Sequence, residues 1–388
     1  MISCKYTIPP SRLETVVSAT VGNDSGKTDV VQCNRKNYTS RREDRKVYKK
    51  EMRVNRTSSH YDESTIIRTS KLTKAFGNHV AVNALDVQVM RGDVFGFLGP
   101  NGSGKTTTIR MLLGLIRPTT GCAMLFGMDN AFHLPAILQR LGAIVETPIF
   151  YTYLSGVDNL RVIASTSGMA SGAVNDHRFA EVMEIVDLQS SAKLAYRTYS
   201  LGMKQRLGIA AALLTDPELV LLDEPTNGLD PAGVFEMRQL IQRLSSLGKT
   251  IFISSHILYE IQNVCNRVAI LQKGHLVTQG TVSELLRERE QIEIRLTQED
   301  ATLAAQHVLL QLKSQGANWI RHVSVERNRQ NQLLLLIEAP VARSAEINAI
   351  LAHQNFLVAE LHPHEGSLED VFLRLTATPE STIAHVTQ

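Results

Sequence analysis

Residues 94–107 read VFGFLGPNGSGKTT, and this stretch decides the fold of the chain. Its first five residues have the length and composition of a buried strand, and a helical pattern of apolar residues follows from Thr106 to Leu115. The turn between them has the spacing Gly-x-x-x-x-Gly-Lys-Thr. Because a strand precedes this turn and a helix follows it, the pattern favours a loop that surrounds a phosphate group over an ordinary glycine-rich turn.

The predicted phosphate loop offers three kinds of group to an anion. Its glycines let several backbone N–H groups face one phosphate, and the helix N-terminus adds partial positive charge. Lys105 reaches the outer phosphates, and the Thr106 hydroxyl is a ligand for Mg²⁺. The residues predicted to contact the nucleotide are Gly99, Pro100, Asn101, Gly102, Ser103, Gly104, Lys105, Thr106 and Thr107.

Composition limits the class of protein. The 388 residues suffice for two or three domains, and a net charge of +3 is too small to indicate nucleic acid binding. The four cysteines form no Cys-x-x-Cys pair, which argues against a metal knuckle or a disulfide framework and fits a reducing compartment. Neither a membrane-length apolar run nor an apolar signal core occurs, so we expect a soluble protein whose membrane role needs a partner.

Residues 1–64 are polar and basic, and we expect a disordered N-terminal arm. The basic cluster at residues 35–56 is either a solvated arm or a patch for anionic lipid or nucleic acid, and interrupting acidic residues favour the arm. Residues 22–28 imitate a phosphate loop, but Val21 replaces the first glycine and neither a strand nor a helix flanks the segment. Met52 is a second candidate for the natural start.

The segment before the phosphate loop predicts strands over Thr69–Phe76 and Val80–Val89, joined by a hairpin turn at Gly77-Asn78. Phe76 either stacks on a base or is a core aromatic residue. Further strands are predicted at residues 121–126 and 144–146. Residues 131–197 are mainly helical in pattern and predict a helical insertion.

Three later segments carry polar residues at the ends of elements. Ser200 and Gly202 precede a helix predicted over Lys204–Leu214, where they serve as a helix cap or a second anion site. The buried strand at residues 219–222 ends in Asp223 and Glu224, which in a parallel sheet reach the ligand crevice. There one acid can hold Mg²⁺ and the other polarise a water.

His256 follows another strand, predicted over Thr250–Ser254, and is placed to contact a phosphate or a water.

Beyond residue 290 the elements follow the order β-α-β-β-α-β and end in a helix at residues 368–375, which predicts a small α+β sandwich.

The ordered motifs resemble those of ABC transporter nucleotide-binding subunits over about residues 66–285. They are the phosphate loop, YSLGMKQR at 199–206, LLDEP at 221–225, NGLD at 227–230 and SSH at 254–256. Within that family, IVETPIFY at 144–151, the SLGMKQR segment and LEDVFL at 368–373 resemble the bacitracin and lantibiotic-type drug and peptide exporters. The resemblance implies an α/β P-loop ATPase fold with an antiparallel β subdomain, a helical insertion and a small C-terminal α+β domain.

The resemblance also implies roles within one subunit. Phe76 matches the aromatic residue that stacks on adenine, and Lys105 the lysine that binds phosphate. Thr106 matches a Mg²⁺ ligand, and Asp223 matches the carboxylate that holds Mg²⁺, usually through water. Glu224 matches the general base, and His256 the switch histidine at the γ-phosphate.

Three residues match positions that act across a dimer. Ser200 and Gly202 match the signature residues that close on ATP held by the opposite subunit, which raises them above a plain helix cap. Asp230 matches the residue that links the two sites.

Two departures from the family pattern stand out. Glu146 occupies the position usually held by glutamine, where it can still ligate Mg²⁺ but donates no hydrogen bond when ionised. Leu201 and Met203 replace the more common glycine and glutamine of the signature. We expect activity to survive, because Ser200 and Gly202 are retained.

The chain is therefore expected to be an ATP-hydrolysing transporter subunit that uses ATP and Mg²⁺. The resemblance implies a head-to-tail homodimer, a separately encoded transmembrane permease, and a cytoplasmic position on the inner face of the membrane. The cargo would be a drug, a peptide antibiotic or a similar compound. Residues 65–288 would form the ATP-binding domain and residues 289–388 an accessory domain.

Two alternatives remain at this point. The first is a soluble ABC ATPase that acts on ribosomes or nucleic acid through the basic arm. We consider nucleic acid binding the less favoured case, because one chain carries neither two cassettes nor a long coiled-coil insertion. The second is a regulatory module in which residues 290–388 sense a ligand.

Overall fold

The computed structural model describes residues 64–145, 150–169, 173–287, 290–328, 331–364 and 366–376. Within these ranges the strands are β1 (Thr65–Phe76), β2 (His79–Leu85), β3 (Gln88–Met90), β4 (Val94–Leu98), β5 (Thr120–Leu125), β6 (Met128–Asp129), β7 (Leu141–Ile144), β8 (Leu219–Asp223), β9 (Thr250–Ser255), β10 (Arg267–Gln272), β11 (His275–Thr281), β12 (Gln291–Leu296), β13 (His322–Arg327), β14 (Leu333–Glu338) and β15 (Val358–His364). The α-helices are α1 (Lys105–Leu112), α2 (Asn130–Leu138), α3 (Gly156–Thr166), α4 (Ala173–Ile185), α5 (Leu201–Leu213), α6 (Pro231–Ser246), α7 (Leu258–Gln262), α8 (Val282–Arg287), α9 (Thr302–Ser314), α10 (Ser344–His353) and α11 (Leu368–Thr376).

The described residues fall into two compact units. The first comprises residues up to Asp93 together with Gly102–Ser254 and Lys273–His275. The second comprises Val94–Asn101, Ser255–Gln272 and the residues from Leu276 onward. The predicted basic arm and the imitation of a phosphate loop at residues 22–28 lie outside the described residues.

An antiparallel sheet in the first unit is built around β1. Its strand order is β2-β1-β5-β6, and β3 also pairs with β1. The predicted hairpin is confirmed, with Phe76 paired to His79 across the turn. The prediction of one strand over Val80–Val89 is wrong, because β2 ends at Leu85, just after Ala84 with its φ of +46°, and β3 begins only at Gln88. The break lets β2 and β3 pair with different parts of β1.

Three parallel strands of the first unit, β7, β8 and β9, form the scaffold for the acidic residues. Every residue of β8 and β9 is buried, as expected for parallel strands covered on both faces. The register pairs Leu222 with Ile144 on one side and Asp223 with Ser254 on the other. The carboxyl ends of β8 and β9 therefore lie side by side.

Two of the described helices pack against β7: α2, which falls almost wholly within the predicted insertion, and α5, which follows the insertion. Helix α5 packs against β7, α3, α4 and α6. It begins at Leu201 rather than at the predicted Lys204, because the Ser200 side chain caps the helix three residues earlier than the apolar pattern indicates.

The second unit contains β4 and β10, which pair in parallel from Phe95 with Arg267 to Leu98 with Ile270. Gly96 in β4 has no side chain, and a Cβ atom there would overlap Ile261 of α7. The close approach of α7 to β4 therefore requires glycine at this position.

The predicted C-terminal β-α-β-β-α-β order is confirmed. The strands form an antiparallel sheet of order β13-β14-β12-β15. Ile292, Ile294 and Ile337 of the sheet are buried with Leu309 of α9 and Leu351 of α10. Alternate residues of β12 are buried and half-buried, which is the pattern of a sheet with one face packed on a core.

Helix α11 joins the C-terminal region to the rest of the second unit by packing against α7 and α8. The backbone N–H of Leu368 donates to the side-chain oxygen of Gln262 at 3.0 Å. Leu368 and Val371 are buried there.

A network of one carboxylate and two arginines links the start of β8 to neighbouring turns in the first unit. Arg140 and Arg91 both donate to Glu218, with closest contacts of 2.5 Å each. The hydrogen bond from Arg140 is the main reason that the pKa of Glu218 falls to about 2. Because the folded pKa is lowered, the network adds stability above pH 4.5 and loses it as the pH falls toward 2.

We expect Glu218→Gln to lower the free energy of unfolding at pH 7 by less than about 1 kcal/mol, since exposed ion pairs are screened by solvent. The Glu218 side chain is 38% exposed and that of Arg91 45%. The difference in urea midpoint between wild type and variant should hold from pH 7 to 5 and shrink below pH 4.5, the ordinary pKa of the carboxyl. A difference of constant size down to pH 3 would contradict this account.

None of the helices in the described ranges is both long and apolar enough to cross a membrane.

Candidate functional site

The phosphate loop connects β4 to α1, as the sequence predicts. Lys105 is the first residue of α1, and Gly104 precedes it with a φ of +103°. A Cβ atom at Gly104 would lie 2.6 Å from the carbonyl oxygen of Ala81 in β2. The Gly274 N–H also donates to the carbonyl of Ser103 at 3.1 Å. The part of the phosphate loop that belongs to the first unit is thus packed against the backbone at Ala81 and at Gly274.

The start of α1 has the features of an anion site. No acidic residue lies in its first turn, and Gly104 provides no side-chain cap. The buried hydroxyl of Ser103 has no hydrogen-bond partner among the described residues. A phosphate oxygen would satisfy this hydroxyl and the first amides of α1, so the loop fits a phosphate group.

Lys105 and Glu224 meet beside this loop. The Lys105 ammonium lies 3.2 Å from Oε1 of Glu224, and the Lys105 side chain is only 4% exposed. Buried charges of this kind are costly unless each has a partner. The pair therefore brings the predicted phosphate-binding lysine and the predicted general base into direct contact.

Asp223 ends β8 and is buried. The hydroxyl of Ser254 donates to its carboxylate at 2.5 Å, and the hydroxyl of Thr106 donates to it as well. Burial raises the pKa of Asp223 and outweighs the opposing effects of the two hydroxyls and Lys105, while Glu224 raises it further. Burial thus disfavours the charged form of the Asp223 carboxylate. A divalent cation bound there, next to Thr106, would favour that charged form, so the site fits such a cation.

Glu224 adopts a left-handed backbone conformation with φ +48°. Its N–H donates to the hydroxyl of Ser254 at 2.9 Å and toward the Ser254 carbonyl at 3.2 Å. Such a conformation costs a non-glycine residue about 1–3 kcal/mol and is frequent at functional sites. The sequence did not indicate Ser254 as a site residue, because its contacts with Asp223 and Glu224 depend on the register between β8 and β9.

Ser200 and Asp230 each cap a helix. The Ser200 hydroxyl accepts from the Met203 N–H at 3.2 Å, and Asp230 accepts from the Gly233 N–H at 3.0 Å. A Cβ atom on Gly202 would lie 3.8 Å from Leu229, so the two turns are neighbours. The hydrogen bonds of these residues stay within their own turns, whereas those of Lys105, Thr106, Asp223 and Glu224 join one cluster.

Phe76 ends β1 with half of its surface exposed, and the Lys74 ammonium lies 4.9 Å from the centre of its ring. Exposure removes the alternative of a core aromatic residue and leaves a ring that can stack on a base.

His256 directly follows β9 and is exposed. It lies in the second unit, as do Gly99, Pro100 and Asn101. The Gly99 N–H donates to the carbonyl of Ser255 at 3.4 Å, so the first residue of the loop adjoins the residue before His256. Glu146 lies outside the described residues, and its predicted part in metal binding stays a prediction.

A cavity of about 460 Å³ lies elsewhere, in the C-terminal region of the second unit. It is lined by Gln291, Glu293, Leu336, Glu338, His364, Asp370, Leu373 and Arg374. None of the predicted site residues lines it.

Comparisons with known proteins show the family to which the chain belongs. The family model described as ABC transporter matches residues 82–227. The bacitracin transport ATP-binding protein BcrA of Bacillus licheniformis is 41% identical over 315 residues, which cover 80% of this chain and 97% of that protein. The Nod factor export ATP-binding protein I of Cupriavidus metallidurans is 32% identical over 81% of this chain and 98% of its own length. The chain belongs to the ABC transporter ATP-binding subunits.

The fold comparison agrees. A solved ATP-binding subunit of an ABC transporter superposes with a TM-score of 0.51 and 28% identity, over 57% of this chain and 92% of that one. The predicted P-loop ATPase fold is therefore confirmed, and the chain is a nucleotide-binding ATPase subunit of a transporter.

Proposed function

We propose that the subunit works on ATP with Mg²⁺, and that the cluster around Lys105 carries the chemistry. Lys105 and the loop amides stabilise charge on the outer phosphates, while Glu224 orients the attacking water and accepts its proton. Asp223 and Thr106 would hold Mg²⁺, and Glu146 is a further candidate ligand. When bound, Mg²⁺ supplies positive charge that neutralises the developing phosphate charge. The contact between Lys105 and Glu224 at 3.2 Å is the observation that supports this arrangement most directly.

The remaining site residues have proposed roles in binding the nucleotide. The exposed ring of Phe76 stacks on the adenine, and Gly99, Pro100, Asn101 and the following loop residues surround the phosphates. His256, which follows β9 as Glu224 follows β8, contacts the γ-phosphate.

We also propose a head-to-tail dimer of two copies. One chain has one phosphate loop and one signature segment, and the hydrogen bonds of Ser200 and Asp230 stay local. Ser200 and Gly202 of a second copy would complete the site from the other side, and Asp230 would link the two sites. The cap at Ser200 would then also serve as part of an anion site at the N-terminus of α5.

The proposed setting is the cytoplasmic face of a membrane, where a separately encoded permease carries the cargo. Residues 65–288 would form the ATP-binding domain and residues 289–388 the accessory domain, after a basic arm at residues 1–64. We propose a drug or a peptide antibiotic of the bacitracin kind as the exported compound. The support is that likeness to the bacitracin transport protein extends over 315 residues, well beyond the span of the family model.

Purification of the tagged full chain from detergent-solubilised membranes tests this function. We expect a polytopic membrane protein to copurify, and the ATPase activity of the complex to rise with added bacitracin. Glu224→Gln should keep the partner and lose the stimulation. Retention of ribosomes in place of a membrane protein, with salt-sensitive RNA binding, would overturn the transport assignment.

A further inference from the structure

One hydroxyl contacts both of the acids at the end of β8. Ser254 in β9 is fully buried, and its Oγ donates to Oδ1 of Asp223 at 2.5 Å. The same Oγ accepts from the backbone N–H of Glu224 at 2.9 Å. A serine hydroxyl has one proton to donate and lone pairs to accept, so both bonds form at once.

The two bonds act on different parts of the acids. The first fixes the orientation of the Asp223 carboxylate, which the parallel register places opposite Ser254. The second, together with a longer bond from the same N–H to the Ser254 carbonyl at 3.2 Å, holds the backbone of Glu224 at φ +48°, a conformation that residues with a side chain avoid. The backbone conformation determines where the Glu224 side chain starts, and that side chain reaches Lys105 at 3.2 Å.

We propose that Ser254 is a positioning residue, whose single hydroxyl aligns the Asp223 carboxylate and sets the turn that directs Glu224. The inference rests on the roles proposed above for these two acids. Ser254 itself touches neither the phosphates nor the attacking water in this account. It acts as an outer-shell partner of the kind that orients metal ligands.

The same strand offers a matched control. Thr250 begins β9, is as buried as Ser254, and its hydroxyl accepts from the Gly92 N–H at 2.9 Å. Its hydrogen bond lies at the opposite end of the strand from the two acids. Thr250→Val therefore removes a buried hydroxyl from β9 with little change in shape and no contact with the site.

The test compares full-length wild type, Ser254→Ala, Ser254→Thr and Thr250→Val. Mn²⁺ replaces Mg²⁺ as a paramagnetic probe, and its affinity for the ATP-loaded chain is measured by electron paramagnetic resonance. ATP affinity in EDTA, kcat and KM for hydrolysis, and urea midpoints are measured alongside. The metal-free affinity and the midpoints separate positioning from general damage to the fold.

For Ser254→Ala we expect Mn²⁺ affinity and kcat each to fall about 10- to 100-fold, as for other outer-shell partners. ATP affinity in EDTA should stay at the wild-type value, because the loop amides and Lys105 are untouched. Ser254→Thr keeps the hydroxyl and should recover most of both losses. Thr250→Val should lower the urea midpoint and leave Mn²⁺ affinity and kcat unchanged.

Wild-type Mn²⁺ affinity and kcat in Ser254→Ala would overturn the proposal. Equal losses in Thr250→Val would also overturn it, because they would show an effect of strand stability. If wild type itself hydrolysed no ATP, the proposed function would fail, and this inference with it.

Discussion

Glu224→Gln should bind ATP as wild type does and hydrolyse it about 10² to 10⁴ times more slowly, the usual loss when a general base is removed. The amide is nearly the same size, keeps the backbone bond to Ser254 and still accepts from Lys105. It no longer takes a proton from water at neutral pH. Single-turnover hydrolysis and a fluorescence titration with ATP give the two quantities separately.

Glu218→Gln is the matched control for this experiment. It makes the same chemical change at the other end of β8, where the carboxylate contacts arginines instead of Lys105. Its turnover should equal that of wild type. Hydrolysis by Glu224→Gln at the wild-type rate would show that another group activates the water.

Gly104→Ala is the second substitution with a large expected effect. The new Cβ would lie 2.6 Å from the Ala81 carbonyl oxygen and 3.0 Å from Val82, at a φ of +103°. Strain of this kind costs about 1–3 kcal/mol and moves the start of α1 away from its place. Because about 1.4 kcal/mol is a factor of ten in affinity, we expect ATP binding to weaken at least about tenfold.

Gly92→Ala isolates the backbone contribution. Gly92 also has a positive φ, +82°, but a Cβ atom there would meet nothing within 4 Å. This variant should lose some stability and keep its ATP affinity, as measured by the same titration and by urea unfolding. If both variants bound ATP equally well, the close contact between Gly104 and β2 would not determine the shape of the phosphate loop.

The sequence predicted the parts of the site that depend on local pattern. The strand before the phosphate loop, Lys105 at the start of a helix, and the two acids at the end of β8 all follow from short-range spacing. The C-terminal order of strands and helices follows from apolar periodicity. Each of these signals is contained within one short segment of the chain, so it can be recognised without knowledge of contacts between distant residues.

What the sequence did not predict depends on contacts between distant segments. The hydrogen bond from Ser254 to Asp223 joins two residues that are 31 positions apart in the chain, and only the register of β8 and β9 brings them together. The left-handed conformation of Glu224 could not be predicted, because glycine is the residue that usually indicates a positive φ and none stands at this position. The break between β2 and β3 is likewise hidden, because Ala84 gives no sign in composition of its positive φ.

The contact of α11 with α7 and α8 has a consequence for dissecting the protein. Leu368 and Val371 are buried in this contact although they lie far along the chain from Gln262. A chain cut after residue 288 would leave the apolar surface beneath them in water, where it favours aggregation. Residues beyond 288 form a distinct segment of the sequence, but we expect that removing them would damage the remaining fold. Their role is therefore better tested by point substitutions than by truncation.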